Sequence, residues 1–330
     1  MESQALQPAL AAPRLEDVRR AAERIAGKVH RTPLLTSRSL GDRAGVELVL
    51  KCECLQKTGS FKPRGALNKV LSLADAERAH GLVTVSAGNH AQAVAWAARM
   101  VGVPCAVVMP DSAPRSKIEA VRGYGAEIVF HPDRATLFDR LAALQRERGA
   151  VFVHPFDDPV GLAGAGTVGL EIMEDLPAAD VVVVPVGGGG LMAGVAVAVK
   201  ALRPECRVIA VELEAGPGLG PALAAGKPVP VSRPSATLAD GLTPPFVGAL
   251  PLEIARRCVD DVVTVSEEAI REAMRSLLLR AKLVVEGSGA AATAALLSGT
   301  ARPAPGSRVV AIVSGGNVDP DTMCSLFAPE

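Results

Sequence analysis

The segment SFKPRGA, residues 60–66, places Lys62 between an aromatic residue and a proline in a stretch that is otherwise apolar. Phe61 can bury one side of the lysine, and Arg64 adds positive charge two residues further on. Removal from water and a neighbouring cation both lower the pKa of an amine, which is the condition for a nucleophilic lysine. An isolated lysine is more often a solvated surface charge, and the segment alone leaves that interpretation open.

A run of four glycines, residues 187–190, lies between the apolar stretches VVVVPV and LMAGVAVAV. This pattern predicts a buried strand, a turn and a helix. Without Cβ atoms, the backbone N–H groups of the turn can converge on an oxyanion at the helix start, where the helix dipole also favours negative charge. The segment lacks the Lys-Ser/Thr of a P-loop and the spacing of a dinucleotide-binding motif. We interpret it as a phosphate-binding turn, with a purely structural turn as the alternative.

Three other segments place polar residues beside apolar runs. VSAGNH follows a predicted strand and opens a helix, where Asn89 could contact a ligand or cap the helix. In VVAIVSGGN, Ser314 ends another predicted strand, either as a ligand contact or as a turn residue. Glu286 precedes a helix of small residues, where a carboxylate favours the dipole, so a capping role is open as well. His90, taken alone, is typical of a structural histidine.

A phosphate-binding turn combined with a nucleophilic lysine indicates a phosphorylated aldehyde held as a Schiff base. We therefore expect pyridoxal phosphate as the cofactor. The alternative from another class is a non-catalytic α/β module that binds a phosphorylated ligand, in which Lys62 is an ordinary surface charge.

The elements that must position these residues follow from the alternation of short β-branched runs with longer helical stretches. Examples are LVTVSA (82–87), CAVVMP (105–110) and AEIVF (126–130). Strands separated by helices predict parallel sheets with right-handed crossovers. We therefore expect an α/β protein with two open, twisted parallel-sheet domains and the cofactor in the cleft between them. The rhythm predicts a small inserted domain over 79–155 and a discontinuous large cofactor-binding domain over 1–78 and 156–330.

The composition indicates which classes of binding partner and which cellular compartment to expect. Lys plus Arg and Asp plus Glu both number 35, and aromatic residues are only 3%, so neither phosphate neutralisation nor base stacking indicates nucleic-acid binding. The six cysteines have no zinc-binding spacing, and the N-terminus lacks the pattern of a signal peptide, so we expect a cytoplasmic protein with reduced thiols. The uncharged stretch 181–199 contains a proline and the glycine run, which argues against a membrane helix and a membrane partner.

The segments SFKPRGA, SAGNHAQ, PVGGGGL and SGGN, in this order, resemble those of the fold-type II pyridoxal-phosphate enzymes. Within that group the chain is similar to the serine/threonine dehydratases (threonine ammonia-lyases) and the serine racemases. The resemblance covers about Arg31 to SGGN and implies a single catalytic region without a regulatory domain, and a homodimer. It implies that Lys62 forms the Schiff base and removes the Cα proton of the substrate. The residues implied to contact the cofactor are Phe61, Asn89, Gly187, Gly188, Gly189, Gly190, Leu191, Gly241, Glu286 and Ser314. The residues implied to receive the substrate carboxylate are Ser86, Ala87, Gly88, Asn89 and His90.

The implied reaction is the α,β-elimination of L-threonine or L-serine to a 2-oxo acid and ammonia. Racemases of this family commonly carry a serine where this chain has Ala87, so dehydration is favoured over racemisation. A serine racemase, a β-replacement enzyme, or a dehydratase of another β-hydroxy amino acid such as hydroxyaspartate or phenylserine remain alternatives. The double proline of ADGLTPPF (239–246) leaves the substrate side chain open.

The resemblance also implies a cation site. The glutamate of the family's metal site resembles Glu212, but the acid expected six residues later is replaced by Gly218. We therefore expect at most weak binding of a divalent or monovalent cation at Glu212.

Overall fold

The computed structural model describes residues 11–113, 115–232, 234 and 236–328. The first ten residues, on which the signal-peptide prediction partly rests, lie outside this range. So do positions 233 and 235 of the Pro/Gly-rich segment that precedes the double proline.

Six strands form the larger of two sheets. They are β1 (Leu34–Thr36), β2 (Glu47–Cys52), β7 (Val181–Pro185), β8 (Arg207–Leu213), β9 (Asp261–Val265) and β10 (Arg308–Val313). Their order across the sheet is β1, β2, β10, β7, β8, β9. All neighbours are parallel except the edge strand β1, which pairs antiparallel with β2.

The second sheet is built from the four strands that follow β2 in the chain. They are β3 (Leu82–Val85), β4 (Cys105–Pro110), β5 (Glu127–His131) and β6 (Val151–Phe152). They pair in parallel in the order β5, β4, β3, β6.

Fourteen α-helices connect and cover the two sheets within the described residues. The first seven are α1 (Leu15–Ile25), α2 (Arg38–Ala44), α3 (Lys62–Ser72), α4 (Asp75–Ala79), α5 (Asn89–Val101), α6 (Arg115–Gly123) and α7 (Leu137–Arg148). The others are α8 (Pro159–Asp175), α9 (Gly190–Leu202), α10 (Leu219–Ala225), α11 (Ala249–Cys258), α12 (Glu267–Ser276), α13 (Gly287–Leu297) and α14 (Pro320–Ser325).

The central strand β7 shows why the long apolar runs fold in this way. Val181 and Val183 pack into the core on the side of α12 and α13, whereas Val182 and Val184 pack on the side of α8, α9 and α11. A parallel strand covered by helices on both faces needs apolar residues at every position, and alternation is lost. The α/β prediction with parallel sheets is confirmed.

Two strands and one helix differ from the expectation. β1 and β9 were not predicted, because β1 has only three residues after a proline and β9 is the mixed run DVVTV, and both give a weak pattern at a sheet edge. The Pro/Gly-rich segment 215–246, for which no helix was predicted, contains α10 and a short 3₁₀ turn at Asp240–Leu242.

Within the described ranges, no helix combines the length and the apolar character needed to cross a membrane.

Candidate active site

The segments singled out in the sequence lie at the carboxyl ends of the strands. The loop Ser86–His90 follows β3, the glycine run follows β7, and Ser314 follows β10. The chain reaches Lys62 ten residues after the end of β2, which runs parallel to β10. Ligands of parallel α/β sheets bind beyond the carboxyl ends of the strands, and these segments lie there.

Lys62 begins α3 and is tied to the turn that contains Ser314. The amide of Phe61 donates to the carbonyl oxygen of Ser314 at 3.1 Å, and Ser60 forms an antiparallel bridge with Gly315. Two segments that are distant in sequence are therefore joined by main-chain hydrogen bonds. The structure thus brings together the lysine and the serine that the sequence singled out.

The Lys62 amine is held in surroundings that favour its neutral form. Its Nζ donates to the carbonyl oxygen of Pro155 at 2.8 Å and lies 5.1 Å from the ring centroid of Phe61. Burial lowers the pKa of Lys62 to about 8, and the nearby charge of Glu286 partly opposes this shift. An amine with this pKa is a better nucleophile and base near neutral pH than an exposed lysine.

Arg64 does not contribute to this effect, which corrects the sequence-based expectation. Its guanidinium is fully buried and forms paired hydrogen bonds with both Glu53 and Glu171, at 2.7–2.8 Å. Glu171 also accepts a hydrogen bond from buried Lys51 at 2.5 Å. Two cations and two carboxylates compensate one another, so Arg64 fixes α3 against α8 and the turn that follows β2 instead of repelling charge from Lys62.

Sequence reasoning missed this charged cluster of Lys51, Glu53, Arg64 and Glu171. A signal was available in VLKCEC, where a lysine and a glutamate interrupt an apolar strand that has to be buried. Charged residues are buried almost only when they are paired.

The glycine run makes a tight passage from β7 to α9. Gly189 adopts a left-handed conformation with φ of 90°, and a Cβ there would lie 2.6 Å from Cβ of Pro251. A Cβ on Gly188 would lie 2.2 Å from the Phe156 ring. Both positions therefore require glycine.

The same turn offers hydrogen-bond donors. In the described part of the chain, the amide N–H groups of Gly190, Leu191 and Met192, in the first turn of α9, donate to no protein acceptor. These unpaired N–H groups lie at the start of a helix, and the glycines beside them have no side chains that would block a ligand. Such a site fits a phosphate group.

Asn89 and Glu286 form a hydrogen-bonded pair instead of capping their helices. Asn89 Nδ2 donates to Glu286 Oε1 at 2.6 Å, and neither side chain caps the helix it begins. Burial raises the pKa of Glu286 to about 8, with a further contribution from Asp240, while the hydrogen bond from Asn89 acts in the opposite direction. Asn89 and Glu286 therefore do not act as helix caps but form a polar pair next to Lys62.

The remaining predicted contacts lie around this group. Ser314 is buried, and its Oγ is 3.4 Å from the carbonyl oxygen of Ser288. Gly241 donates its amide to Ser288 Oγ at 3.0 Å, and its carbonyl oxygen would lie 2.6 Å from a Cβ on Gly187. Ser86 Oγ accepts from the amide of Gly88 at 3.1 Å, so this hydroxyl supports its own loop.

His90 is a structural residue, as its isolated position in the sequence suggested. It is buried, with Nε2 3.0 Å from the carbonyl oxygen of Val153, and burial lowers its pKa to about 3. A neutral imidazole that donates to a carbonyl is not a general acid near neutral pH.

His154 was not predicted and lies close to the lysine. Its Nδ1 accepts from the amides of Phe156 and Asp157 at 3.2 and 2.9 Å, and burial lowers its pKa to about 4. It lines a cavity of about 30 Å³ together with Lys62 and Pro155. His154 lies just beyond β6, as the other site segments lie just beyond their strands, and this position could have identified it from the sequence.

The Glu212 carboxylate has structural partners. It accepts hydrogen bonds from three main-chain amides around the start of α10, those of Gly218, Leu219 and Gly220, at 2.5–2.9 Å. Among the described residues, no cluster of three or more metal-ligating side chains occurs. A cation at Glu212 therefore stays a prediction.

The chain is similar over most of its length to known proteins. Residues 25–315 match the family model described as "Pyridoxal-phosphate dependent enzyme". The chain is 48% identical to an L-threonine ammonia-lyase of Thermotoga maritima over 92% of this chain and 76% of that protein. It is 45% identical to the catabolic L-threonine dehydratase of Escherichia coli over 92% of this chain and 93% of that protein. The structure of maize serine racemase superimposes with a TM-score of 0.91, at 41% identity, over 96% of this chain and 97% of that one.

Members of this family use pyridoxal phosphate, and the glycine turn and the partly desolvated lysine fit that group. The chain belongs to the family of pyridoxal-phosphate dependent enzymes.

Proposed function

We propose that the chain is a pyridoxal-phosphate dependent L-threonine/L-serine dehydratase, an ammonia-lyase that converts a β-hydroxy amino acid to a 2-oxo acid and ammonia. The observation that carries this proposal is the Lys62 amine, held by the Pro155 carbonyl oxygen with its pKa lowered to about 8. The identity of 45–48% to threonine ammonia-lyases and dehydratases supports the choice of reaction.

The proposed roles follow the chemistry of each side chain. Lys62 joins the cofactor as a Schiff base, with Phe61 packed beside it. The glycine run 187–190 and the Leu191 amide hold the phosphate. Asn89 and Ser314 contact the ring, and Gly241 and Glu286 line the site. The loop 86–90 receives the substrate carboxylate through its main-chain N–H groups.

When bound, pyridoxal phosphate withdraws electrons from the Cα of an attached amino acid and makes the Cα–H bond acidic. The amino group of the substrate takes the place of Lys62, and the Lys62 amine released in this way accepts that proton, which requires its neutral form. The hydroxyl takes up a proton as the Cβ–O bond breaks and leaves as water, which balances the proton lost from Cα. The enamine that remains shifts a proton from nitrogen to Cβ, and water then adds to the α-carbon as ammonia departs, so that the net products are a 2-oxo acid and ammonia.

His90 and His154 are neutral near pH 7 and take no part in proton transfer there. His154 is oriented by two main-chain amides, and His90 is held against the carbonyl oxygen of Val153. Because both rings are uncharged, neither of them stabilises the ammonium form of Lys62.

We further propose that residues 79–155 form the small domain of a homodimeric, cytoplasmic enzyme, with the remaining residues in the large domain. The four strands of the second sheet all fall inside that range, which supports the division.

A serine racemase is the second candidate, favoured by the 41% identity to the maize enzyme. Ala87 opposes it, because a methyl group cannot exchange a proton on the second face of Cα. The test is a panel of L-threonine, L-serine, hydroxyaspartate and phenylserine assayed for both 2-oxo acid and D-isomer. We expect 2-oxo acid to dominate, and Ala87→Ser to raise the D-isomer fraction. Dominant D-isomer without 2-oxo acid would overturn the assignment.

A further inference from the structure

Asn317, the last residue of SGGN, is not part of the site described so far, but its side-chain amide contacts Asn89 within that site. Asn317 Nδ2 donates to Asn89 Oδ1 at 2.8 Å and to the carbonyl oxygen of Thr58 at 2.7 Å. Asn89 in turn uses its own Nδ2 to donate to Glu286. A chain of hydrogen bonds thus runs from Thr58 through two asparagines to Glu286.

The carbonyl that receives Asn317 is held in an unusual turn. Thr58 has a φ of 55°, a left-handed conformation that is unfavourable for a residue with a side chain. Gly59 follows with a φ of 72°, and a Cβ there would lie 2.4 Å from Asn317 Oδ1. The amide of Gly316 also donates to the carbonyl oxygen of Gly59 at 2.8 Å. The turn at residues 57–59 and the SGGN turn are therefore built around one position of the Asn317 side chain.

This arrangement decides which way the Asn89 amide points. Both Nδ2 hydrogens of Asn317 have acceptors, so Asn317 can only donate towards Asn89. It thereby holds Oδ1 of Asn89 on its own side and leaves Nδ2 on the side of Glu286. Without that donor the amide could turn over, because a protonated Glu286 can donate to Oδ1 as readily as its carboxylate accepts from Nδ2.

We propose that Asn317 is a positioning residue that fixes the orientation of the Asn89 amide, so that Asn89 presents an N–H donor to the phenolic oxygen of the cofactor. The inference rests on the proposed placement of pyridoxal phosphate at Lys62 and Asn89. A reversed amide would present a carbonyl oxygen to that phenolic oxygen and would favour its protonated form.

The test compares Asn317→Asp with Asn317→Ala and a local control. Aspartate has the shape of asparagine but its carboxylate only accepts hydrogen bonds, so it should reverse Asn89 actively, whereas alanine merely releases it. Thr58→Ala is the control, because the Thr58 hydroxyl has no partner among the described residues and the main-chain carbonyl is retained. The measurements are the equilibrium titration of apoenzyme with pyridoxal phosphate and the absorption spectrum at saturation.

We expect Asn317→Asp to weaken cofactor binding by about tenfold or more, Asn317→Ala by about two- to tenfold, and Thr58→Ala by less than about twofold. At saturation, intensity should move from the longer-wavelength cofactor band to the shorter one in the Asn317→Asp variant, and less in the Asn317→Ala variant. Lowering the pH should lessen the defect of the Asn317→Asp variant relative to wild type, because the introduced carboxyl group can donate again once it is protonated. Expressing the result as a ratio to wild type removes the titration of Lys62 and Glu286, which all the proteins share.

A purely space-filling Asn317 would leave the isosteric Asn317→Asp variant with wild-type affinity and spectrum, and that result overturns the inference. Equal defects in both variants at every pH would overturn it as well. Failure of the wild-type protein to bind pyridoxal phosphate at Lys62 is a different outcome, and it would contradict the proposed function itself.

Discussion

The side-chain nitrogen of Lys62 lies 2.8 Å from the main-chain carbonyl oxygen of Pro155. Lys62 begins α3, and Pro155 follows β6, the last strand of the second sheet. The carbonyl is a neutral acceptor, so the amine is satisfied without an ion pair that would lock it in the charged form. This contact explains how a lysine can be ordered and still remain available for reaction.

The rate at which apoenzyme incorporates pyridoxal phosphate should follow the neutral fraction of Lys62. Burial lowers its pKa to about 8, so the rate should rise about tenfold per pH unit below that value and level off above it. Absorbance at a series of pH values measures the rate, with a peptide lysine as the control for titration of the cofactor. A rate that continues to rise well above that pKa, as for an exposed lysine, would contradict the assigned environment.

Replacing Glu286 by glutamine should stabilise the apoenzyme at alkaline pH. The pKa of Glu286 in the folded protein is raised to about 8, so stability is lost as pH rises from the ordinary carboxyl pKa through 8. Glutamine keeps an oxygen for Asn89 without the charge. Melting temperatures between about pH 5 and 9 should show a gap in favour of the variant that grows with pH.

The matched control for that experiment is Glu253→Gln, which removes a carboxylate paired with Arg257 on the exposed side of α11. Its melting temperature should track that of the wild-type protein across the pH range. A Glu286→Gln curve that is parallel to the wild-type curve would be inconsistent with a raised pKa.

Arg64→Lys should cost about 3–5 kcal/mol in free energy of unfolding, because one ammonium cannot serve both buried carboxylates as the planar guanidinium does. The control is Arg31→Lys, since Arg31 pairs with Glu174 and Asp175 at the surface and should cost less than about 1 kcal/mol. Urea denaturation of the two apoproteins measures both values. Equal losses would show that the buried cluster does not hold α3 in place.

Gly189→Ala should weaken the binding of pyridoxal phosphate far more than the binding of pyridoxal, which has no phosphate. Gly102→Ala is the matched control, because Gly102 also has a left-handed φ, 71°, but no described atom within 4 Å of its missing Cβ. Both substitutions share a backbone cost of about 1–2 kcal/mol, so the difference between them reports on the glycine turn. Parallel losses for both ligands would argue against a phosphate site there.

The strands and the location of the site could be predicted from the sequence because they depend on local patterns. The run CAVVMP (105–110) became β4 with the predicted bounds, since a strand buried on both faces leaves a continuous apolar signature. Glycine runs and polar residues directly after such strands marked the carboxyl edge of each sheet.

What the sequence did not disclose are pairings between distant residues. Arg64 looked like a neighbouring cation for Lys62, but its two carboxylate partners lie 11 residues before it and 107 residues after it. Asn317 was not singled out in the sequence, and its side chain contacts Asn89, 228 residues away. Such contacts depend on how helices pack on the sheet, and no local pattern encodes them.

The most direct test of the proposal is to reduce the cofactor-loaded enzyme with borohydride and map the labelled peptide by mass spectrometry. We predict a single pyridoxyl group on Lys62, within SFKPR, and no label at that peptide in Lys62→Met. Label on another lysine, or a cofactor-replete Lys62→Met protein that still forms 2-oxo acid from L-threonine, would contradict the role assigned to Lys62.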